Sequence, residues 1–190
     1  DGTSEWSSPS EVKLPQWNCL WRSCPKGMNP GIYPVDKEAP NIAKAVIGYQ
    51  YSMVAGTRTL PRNSVTTWGI KVLKSHYQDK VKCFIGITFY DNETLLSTND
   101  SGWFLDCLSS TMSCPLWYTG MHTKPKTKPE KHVRPGDTVH VTMDTRKGML
   151  SFSVNGEGLG TLERIPLYKP SVPCIILCNK GDTLELITGK

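Results

Sequence analysis

The feature that most constrains this chain is a series of short alternating apolar segments separated by turn residues. Val139, Val141 and Met143 alternate with polar neighbours, which is the pattern of a half-buried antiparallel strand. Comparable segments at 68–73, 85–89, 150–154 and 183–187 predict further strands. The run 172–178 is apolar on both faces, as in a central strand covered on both sides. Gly and Pro interrupt nearly every window that could form a helix, so the sequence predicts an all-β fold.

Two turns within this series have recognisable chemistry. Asn155-Gly156 is a preferred pair for a tight two-residue hairpin, and Gly148 can take the positive φ that closes a hairpin with a bulge. Together they predict a three-stranded meander over residues 137–162. Many short strands with frequent turns indicate a sandwich or barrel, and one domain rather than two.

Two segments depart from this rhythm. Residues 1–30 are rich in Ser and Pro yet contain Trp6, Trp17 and Trp21, so we predict a non-regular extension that packs on the domain formed by 31–190. Residues 119–136 interleave basic residues with prolines and contain almost no apolar side chains, which predicts an exposed, mobile loop.

The cysteines bear on the compartment. There are seven, an odd number in a chain large enough to fold without disulfides, which favours reduced thiols and a cytoplasmic protein. Cys83, Cys174 and Cys178 stand in apolar runs, where a free thiol acts as a small core residue. Sequons at Asn92 and Asn99 favour secretion instead, and a nuclear location is also compatible with the sequence.

Features at the chain level suggest how the domain is used. No apolar run is long enough to span a membrane and no secretory leader is present, so we expect no membrane association. The absence of an initiator Met leads us to expect a module of a larger protein. No uncovered apolar stripe demands self-association, so we expect the isolated domain to be monomeric.

The order of the elements resembles the SPRY family. The resemblance covers residues 46–188 and is carried by the Trp68 strand, by Phe84-Ile-Gly-Ile-Thr88, and by Ser101-Gly-Trp-Phe-Leu-Asp106. It continues through Met143-Asp-Thr-Arg-Lys-Gly-Met-Leu-Ser-Phe152, Val154-Asn-Gly156 and Gly181-Asp-Thr-Leu-Glu-Leu186. The family implies a bent sandwich of two antiparallel sheets with little or no helix. It also implies a non-catalytic module, such as a scaffold or adaptor domain, that recognises another protein or a short peptide.

The resemblance also implies where a peptide would bind. SPRY domains receive short peptides on a face made by an early loop, the loop after the Ile-Gly strand and the loop before the last strand. Those positions correspond here to Tyr49, Gln50, Tyr51, Tyr90, Asp91, Asn92, Asn179 and Lys180. Trp68, Trp103, Phe152 and Val154 are assigned to the core or its edge instead.

The residues themselves offer no catalytic constellation. The chain lacks a G-x-S-x-G elbow, an H-E-x-x-H motif, a P-loop and a G-x-G-x-x-G loop, so we expect no enzyme and no cofactor. The spacings of Cys19 with Cys24 and of Cys107 with Cys114 do not fit zinc knuckles, so we expect no metal site.

Two other functions remain open. The net charge is +5, and the loop 119–136 could contact nucleic-acid phosphates, although it lacks aromatic residues on which bases would stack. Carbohydrate binding on a sandwich face is a third hypothesis, based on analogy alone. The candidate nucleic-acid contacts are Lys124, Lys126, Lys128, Lys131 and Arg134.

Overall fold

The computed structural model describes residues 17–22, 35, 37–46, 52–89, 102–109, 111–113, 122–123 and 132–189. These residues form twelve β-strands and no helix. None of them therefore forms a helix able to span a membrane. The strands are β1 (Ile42–Lys44), β2 (Ser52–Ala55), β3 (Val65–Lys74), β4 (Cys83–Phe89), β5 (Gly102–Asp106), β6 (Thr111–Ser113), β7 (His122–Thr123), β8 (Thr138–Asp144), β9 (Met149–Val154), β10 (Glu157–Leu162), β11 (Ser171–Leu177) and β12 (Thr183–Ile187).

The strands form two antiparallel six-stranded sheets that pack face to face. The first sheet has the order β1-β12-β3-β8-β9-β10, and the second has the order β2-β11-β4-β5-β6-β7. Some strands that pair in a sheet, such as β12 and β3, are far apart in the sequence. The core therefore forms only when segments separated by long stretches of chain come together. The main core contains buried side chains from both sheets, including Trp68, Ile70, Ile85, Val141 and Ile175. The predicted all-β class with two antiparallel sheets is confirmed.

Burial follows the predicted alternation where a strand has one solvent face. In β8, Val139, Val141 and Met143 are fully buried, whereas His140 between them is exposed. In β11, every residue is buried, because Ile175 and Leu177 pack in the main core while Cys174 and Ile176 pack in a second buried cluster on the other face. The predictions of a half-buried strand and of a central strand are therefore both confirmed.

The predicted turns are confirmed by their backbone angles. Asn155 and Gly156 have φ values of 49° and 87°, the left-handed pair that a tight hairpin requires. Gly148 has the predicted positive φ, 64°, in the turn between β8 and β9, but the two strands pair continuously up to Asp144 and Met149, so the predicted bulge is absent there. The three strands from 138 to 162 form the predicted meander within the first sheet.

A close approach between β4 and β5 explains one glycine. Gly86 pairs with Phe104 across the two strands, and a Cβ atom added to Gly86 would overlap the carbonyl oxygen of Trp103. A larger residue would push the strands apart at the centre of the second sheet. The Ile-Gly-Ile sequence of β4 is thus a requirement of strand packing.

The segment 17–22 packs across the edges of both sheets. Trp21 is 1% exposed and Cys19 is 2% exposed, and Trp17 donates a hydrogen bond from Nε1 to the carbonyl of Thr59 at 3.0 Å. The backbone of Arg22 donates to the Ala55 carbonyl at 2.8 Å. The Trp side chains at 17 and 21 are therefore part of the folded unit. Trp6 lies outside the described residues, and the division into 1–30 and 31–190 stays a prediction.

The structure corrects part of the predicted loop over 119–136. His122 and Thr123 form β7, which pairs with β6, and Val133 is fully buried in the core. One apolar residue among many polar ones was enough to attach this segment to the sandwich. The prediction of an exposed loop is wrong at these two places.

Candidate functional site

Two of the predicted partner-binding residues lie in the turn between β11 and β12. Asn179 is half-buried and donates from its backbone and from Nδ2 to Oδ2 of Asp182, at 3.2 and 3.3 Å. Lys180 is exposed at the tip of the same turn. The Asn179 side chain is thus engaged in holding the turn, while Lys180 is available to a partner.

Asp182 organises this end of the molecule, and the sequence analysis did not select it. Its carboxylate is fully buried, and Oδ1 accepts a hydrogen bond of 2.7 Å from the backbone N–H of His76. The Asp182 backbone carbonyl accepts from Ala45, whose own carbonyl accepts from Gly181, at 2.9 and 2.8 Å. One buried carboxylate therefore ties the turn to the loop after β3. The only signal in the sequence was an Asp in a Gly-Asp turn, which is common in turns of no special role.

The strand register places the described residues next to two of the predicted loops at opposite ends of β11. Ser52, which follows the segment 49–51, pairs with Leu177 at the end of β11 that leads to Asn179. Phe89, which precedes the segment 90–92, pairs with Ser171 at the opposite end of β11. These two ends are about 20 Å apart along the strand. Tyr49, Gln50, Tyr51, Tyr90, Asp91 and Asn92 themselves lie outside the described residues, so their role stays a prediction.

Of the candidate nucleic-acid contacts, the structure describes only Arg134. Its side chain is exposed, and its backbone N–H donates to Oδ2 of Asp137 at 2.8 Å in the turn before β8. Lys124, Lys126, Lys128 and Lys131 lie outside the described residues, and their role stays a prediction.

Two groups of segments are named here after one residue in each. The Asp182 end consists of residues 75–82, 132–137, 155–157 and 178–182. The Thr145 end consists of residues 57–64, 144–148 and 163–170. Val65 at the start of β3 pairs with Asp144, and Lys74 at its far end pairs with Thr183. The two loop clusters therefore lie at opposite ends of the sandwich.

Hydrogen bonds from the Thr145 hydroxyl and from the backbone join the three loops of the Thr145 end. The Thr145 hydroxyl donates to the Pro61 carbonyl at 2.8 Å and accepts from the Ser64 N–H at 3.0 Å. Ile165 donates from its N–H to the Gly148 carbonyl at 2.9 Å. Loops fixed in this way can present side chains without losing much further entropy on binding.

The most exposed large apolar side chain among the described residues, Tyr168, lies on a loop of this cluster. Tyr168 is 71% exposed, although its ring centroid is 5.6 Å from that of Phe89. Phe89 also makes an edge contact with Trp103, at 5.4 Å between centroids. Leu167, next to Tyr168, is 43% exposed. Tyr168 thus faces solvent on an aromatic support, with Leu167 beside it, and neither residue was among those predicted from the sequence.

One ion pair shapes the turn at the centre of the Thr145 end. The Arg146 guanidinium lies 2.9 Å from Oδ2 of Asp144, and the Arg146 backbone N–H also donates to Oδ1. The hydrogen bond from Arg146 is the largest of the effects that lower the pKa of Asp144 to about 2. The Asp144 carboxylate is therefore ionised and neutralised by its neighbour at physiological pH.

The described cysteines are buried and unpaired. They are Cys19, Cys83, Cys107, Cys174 and Cys178. The hydrogen bond with Cys107 and burial raise the pKa of the Cys83 thiol, and burial raises that of Cys178 to about 12. Protonated, buried thiols of this kind are poor nucleophiles. Within the described ranges, no three His, Cys, Asp or Glu side chains cluster as they would around a metal ion.

Comparisons with solved structures identify the fold. The SPRY domain of human HERC1 matches with a TM-score of 0.61 and 14% identity, covering 78% of this chain and 88% of that one. A human SPRY domain matches with a TM-score of 0.60 and 12% identity over 80% and 92%. The PSpry domain of TRIM65 matches with a TM-score of 0.58 and 13% identity over 90% and 92%.

At the level of sequence, no protein-family model matches the chain. No curated protein matches it either. Two facing antiparallel sheets and three structural matches over most of the chain nevertheless agree with the resemblance seen in the sequence motifs. The chain has the fold of a SPRY domain.

Proposed function

We propose that this chain is a non-catalytic protein-recognition domain that binds a short segment of a partner through its Thr145 end. One observation carries the proposal: Tyr168, 71% exposed, stands beside the exposed Leu167 on a loop that a hydrogen bond from Ile165 to Gly148 holds in place. Tyr is among the residues that contribute most to protein interfaces. Large exposed apolar side chains on a rigid support are typical of a binding surface.

The neighbouring elements support this choice of surface. Phe89 of the second sheet contacts the Tyr168 ring, and Trp103 contacts Phe89 in turn, so an aromatic pair holds Tyr168 at the surface where a partner would meet it. The segment Tyr90 to Asn92, which the family resemblance implicates in peptide binding, follows Phe89 directly in the chain. The proposal therefore keeps one part of the predicted site and adds the Leu167–Tyr168 pair to it.

We also propose that the domain acts as a module of a larger cytoplasmic protein. The unpaired state of the described cysteines supports this location, because secreted domains of small size usually pair theirs. Identification of thiol and disulfide states in protein isolated from its native cells would test the location. Paired cysteines in that material would contradict it.

The binding function can be tested by peptide selection. The immobilised domain is used to select from a random library of displayed peptides. Selection is repeated with the double variant Leu167→Ala, Tyr168→Ala. A matched control is Leu73→Ala, Tyr77→Ala, which removes a Leu and a Tyr of about 40% exposure at the Asp182 end.

We expect the wild type and the control to enrich related peptides, and the Leu167–Tyr168 variant to enrich none. Urea unfolding of all three proteins verifies that each substitution leaves the fold intact. Selection that is lost in the control and kept in the Leu167–Tyr168 variant would move the site to the Asp182 end. No enrichment by the wild type would contradict peptide recognition altogether.

A further inference from the structure

The two ends of the sandwich differ in charge. The loops of the Asp182 end carry four basic residues and four acidic ones. The loops of the Thr145 end carry six basic residues and only two acidic ones. The six are Arg58, Arg62, Arg146, Lys147, Arg164 and Lys169. The positive charge of the described loops is thus concentrated at the end that exposes Leu167 and Tyr168.

Most of this charge is not neutralised within the described part of the chain. Asp144 forms an ion pair with Arg146, whereas no described carboxylate forms one with Arg58, Arg62 or Arg164. All three arginines are exposed. Arg is well suited to binding carboxylates, because its planar guanidinium offers two parallel donors to the two oxygens.

The hydrogen bonds between the loops bring these arginines to one surface. Arg62 follows Pro61, whose carbonyl accepts from Thr145 at 2.8 Å. Arg164 precedes Ile165, which donates to Gly148 at 2.9 Å. Arg58 is two residues before Leu60, which donates to the carbonyl of Ser171 at 2.8 Å. Each arginine is therefore within two residues of a contact between loops.

We propose that the Thr145 end binds an acidic segment of a partner protein, with carboxylates on Arg58, Arg62 and Arg164 and an apolar side chain on Leu167 and Tyr168. This inference rests on the proposed function and specifies the chemistry of the partner. Carboxylates complement the surplus of positive charge, and the exposed Leu-Tyr pair supplies the contact area that a charged peptide alone would lack.

A nucleic acid fits this surface less well than a peptide does. Base stacking requires exposed aromatic faces, and among the described residues of the Thr145 end only Tyr168 is a strongly exposed aromatic. Leu167, at 43% exposure, offers nothing to a phosphate and is suited to an aliphatic or aromatic side chain. Nucleic-acid binding is therefore one of the outcomes that the test must detect.

The first readout is the composition of the peptides selected by the wild-type domain. We expect an excess of Asp and Glu over the unselected library, together with at least one apolar position. Enriched peptides that require Leu167 and Tyr168 but show no excess of acidic residues would overturn the acidic specificity and leave the proposed function standing. No enrichment at all would overturn both.

The second readout is the affinity of one selected peptide, measured by fluorescence anisotropy. We expect Arg62→Glu, Arg164→Glu to weaken it by about a hundredfold, because two charge-assisted contacts are each worth about tenfold. The matched control, Lys74→Glu, Lys80→Glu, makes the same change of charge at two exposed residues near the Asp182 end and should alter the affinity by about threefold at most.

Equal losses in both variants would show a general charge effect and overturn the assignment to the Thr145 end. Loss in the Lys74–Lys80 variant alone would place the peptide at the Asp182 end and would also overturn the assignment to the Thr145 end. A labelled single-stranded oligonucleotide is titrated in parallel. If it binds more tightly than the peptide and is lost with Arg62→Glu, Arg164→Glu, the surface takes nucleic acid and the proposal is overturned.

Discussion

Replacing Asp182 with Ala should destabilise the fold far more than the loss of a surface acid would. The carboxylate is fully buried and accepts from the backbone N–H groups of His76 and Asn179 at 2.7 and 3.2 Å. Without it, two partly buried backbone donors lose their partner, and each costs about 1.5 kcal/mol. The Asn179 amide can turn towards water and adds little. We therefore expect a loss of about 3 kcal/mol in the free energy of unfolding.

The assay is equilibrium unfolding in urea, with a graded series of variants. Asp182→Asn keeps one oxygen acceptor but turns an N–H towards the other donor, so it should lose about half as much. Asp79→Ala removes an exposed acid from the neighbouring loop and should change stability by less than about 0.5 kcal/mol. In thermal unfolding, Asp182→Ala should lower Tm by about 9 °C in a chain of this size.

The reasoning fails if Asp182→Ala lies within about 1 kcal/mol of the wild type. That result would mean that the two N–H groups find other partners when the carboxylate is removed. It would also mean that the turn carrying Asn179 and Lys180 is held by its own backbone bonds rather than by Asp182. Equal losses for Asp182→Ala and Asp79→Ala would contradict the assigned role of burial.

Two further predictions concern the packing of the sheets and the dependence of stability on pH. Gly86→Ala should destabilise the domain by more than about 2 kcal/mol in urea unfolding, because the new methyl group would overlap the backbone of β5. Gly158→Ala, where a Cβ meets nothing within 4 Å, is its control, and equal effects of the two would refute the close approach. The pKa of Asp144 is lowered to about 2 in the folded protein. Its ion pair therefore stabilises the fold fully at pH values above the pKa of an unfolded Asp, and this contribution is lost as the pH falls towards 2. Asp144→Asn should therefore reduce stability at pH 7 and converge with the wild type near pH 2, and a constant difference at all pH values would contradict the role of this carboxylate.

The strands could be predicted because their signals are local. The alternation of apolar residues in β8 and β9 indicates that one face of each strand is buried, and the continuous apolar run of β11 indicates burial of both faces. Neither pattern depends on which strands pair. The turn at Asn155 and Gly156 could also be predicted, because the left-handed backbone conformation favours these residue types. A segment such as 119–136 was misread in part, because the burial of a single residue, Val133, gives no periodic signal.

The site was harder to predict, since its residues come together only through pairings distant in sequence. Tyr168 appears in the sequence as one Tyr between Leu167 and Lys169 in a proline-flanked loop. Its position over Phe89, 79 residues earlier in the printed sequence, depends on the register of β11 against β4. The same register placed the attachment points of the predicted loops at opposite ends of the second sheet.

The sequence by itself thus determined the class of fold, the positions of most strands and the residue types of the turns, because each depends on neighbours within a few positions. Only the tertiary structure decided which loops share an end, that Asp182 is a buried anchor, and that positive charge gathers beside Leu167 and Tyr168. The physical reason is that the local sequence of an antiparallel strand does not specify which strand will pair with it. Pairing is selected by the burial of the whole core at once, and the surfaces at the two ends of the sandwich follow from that selection.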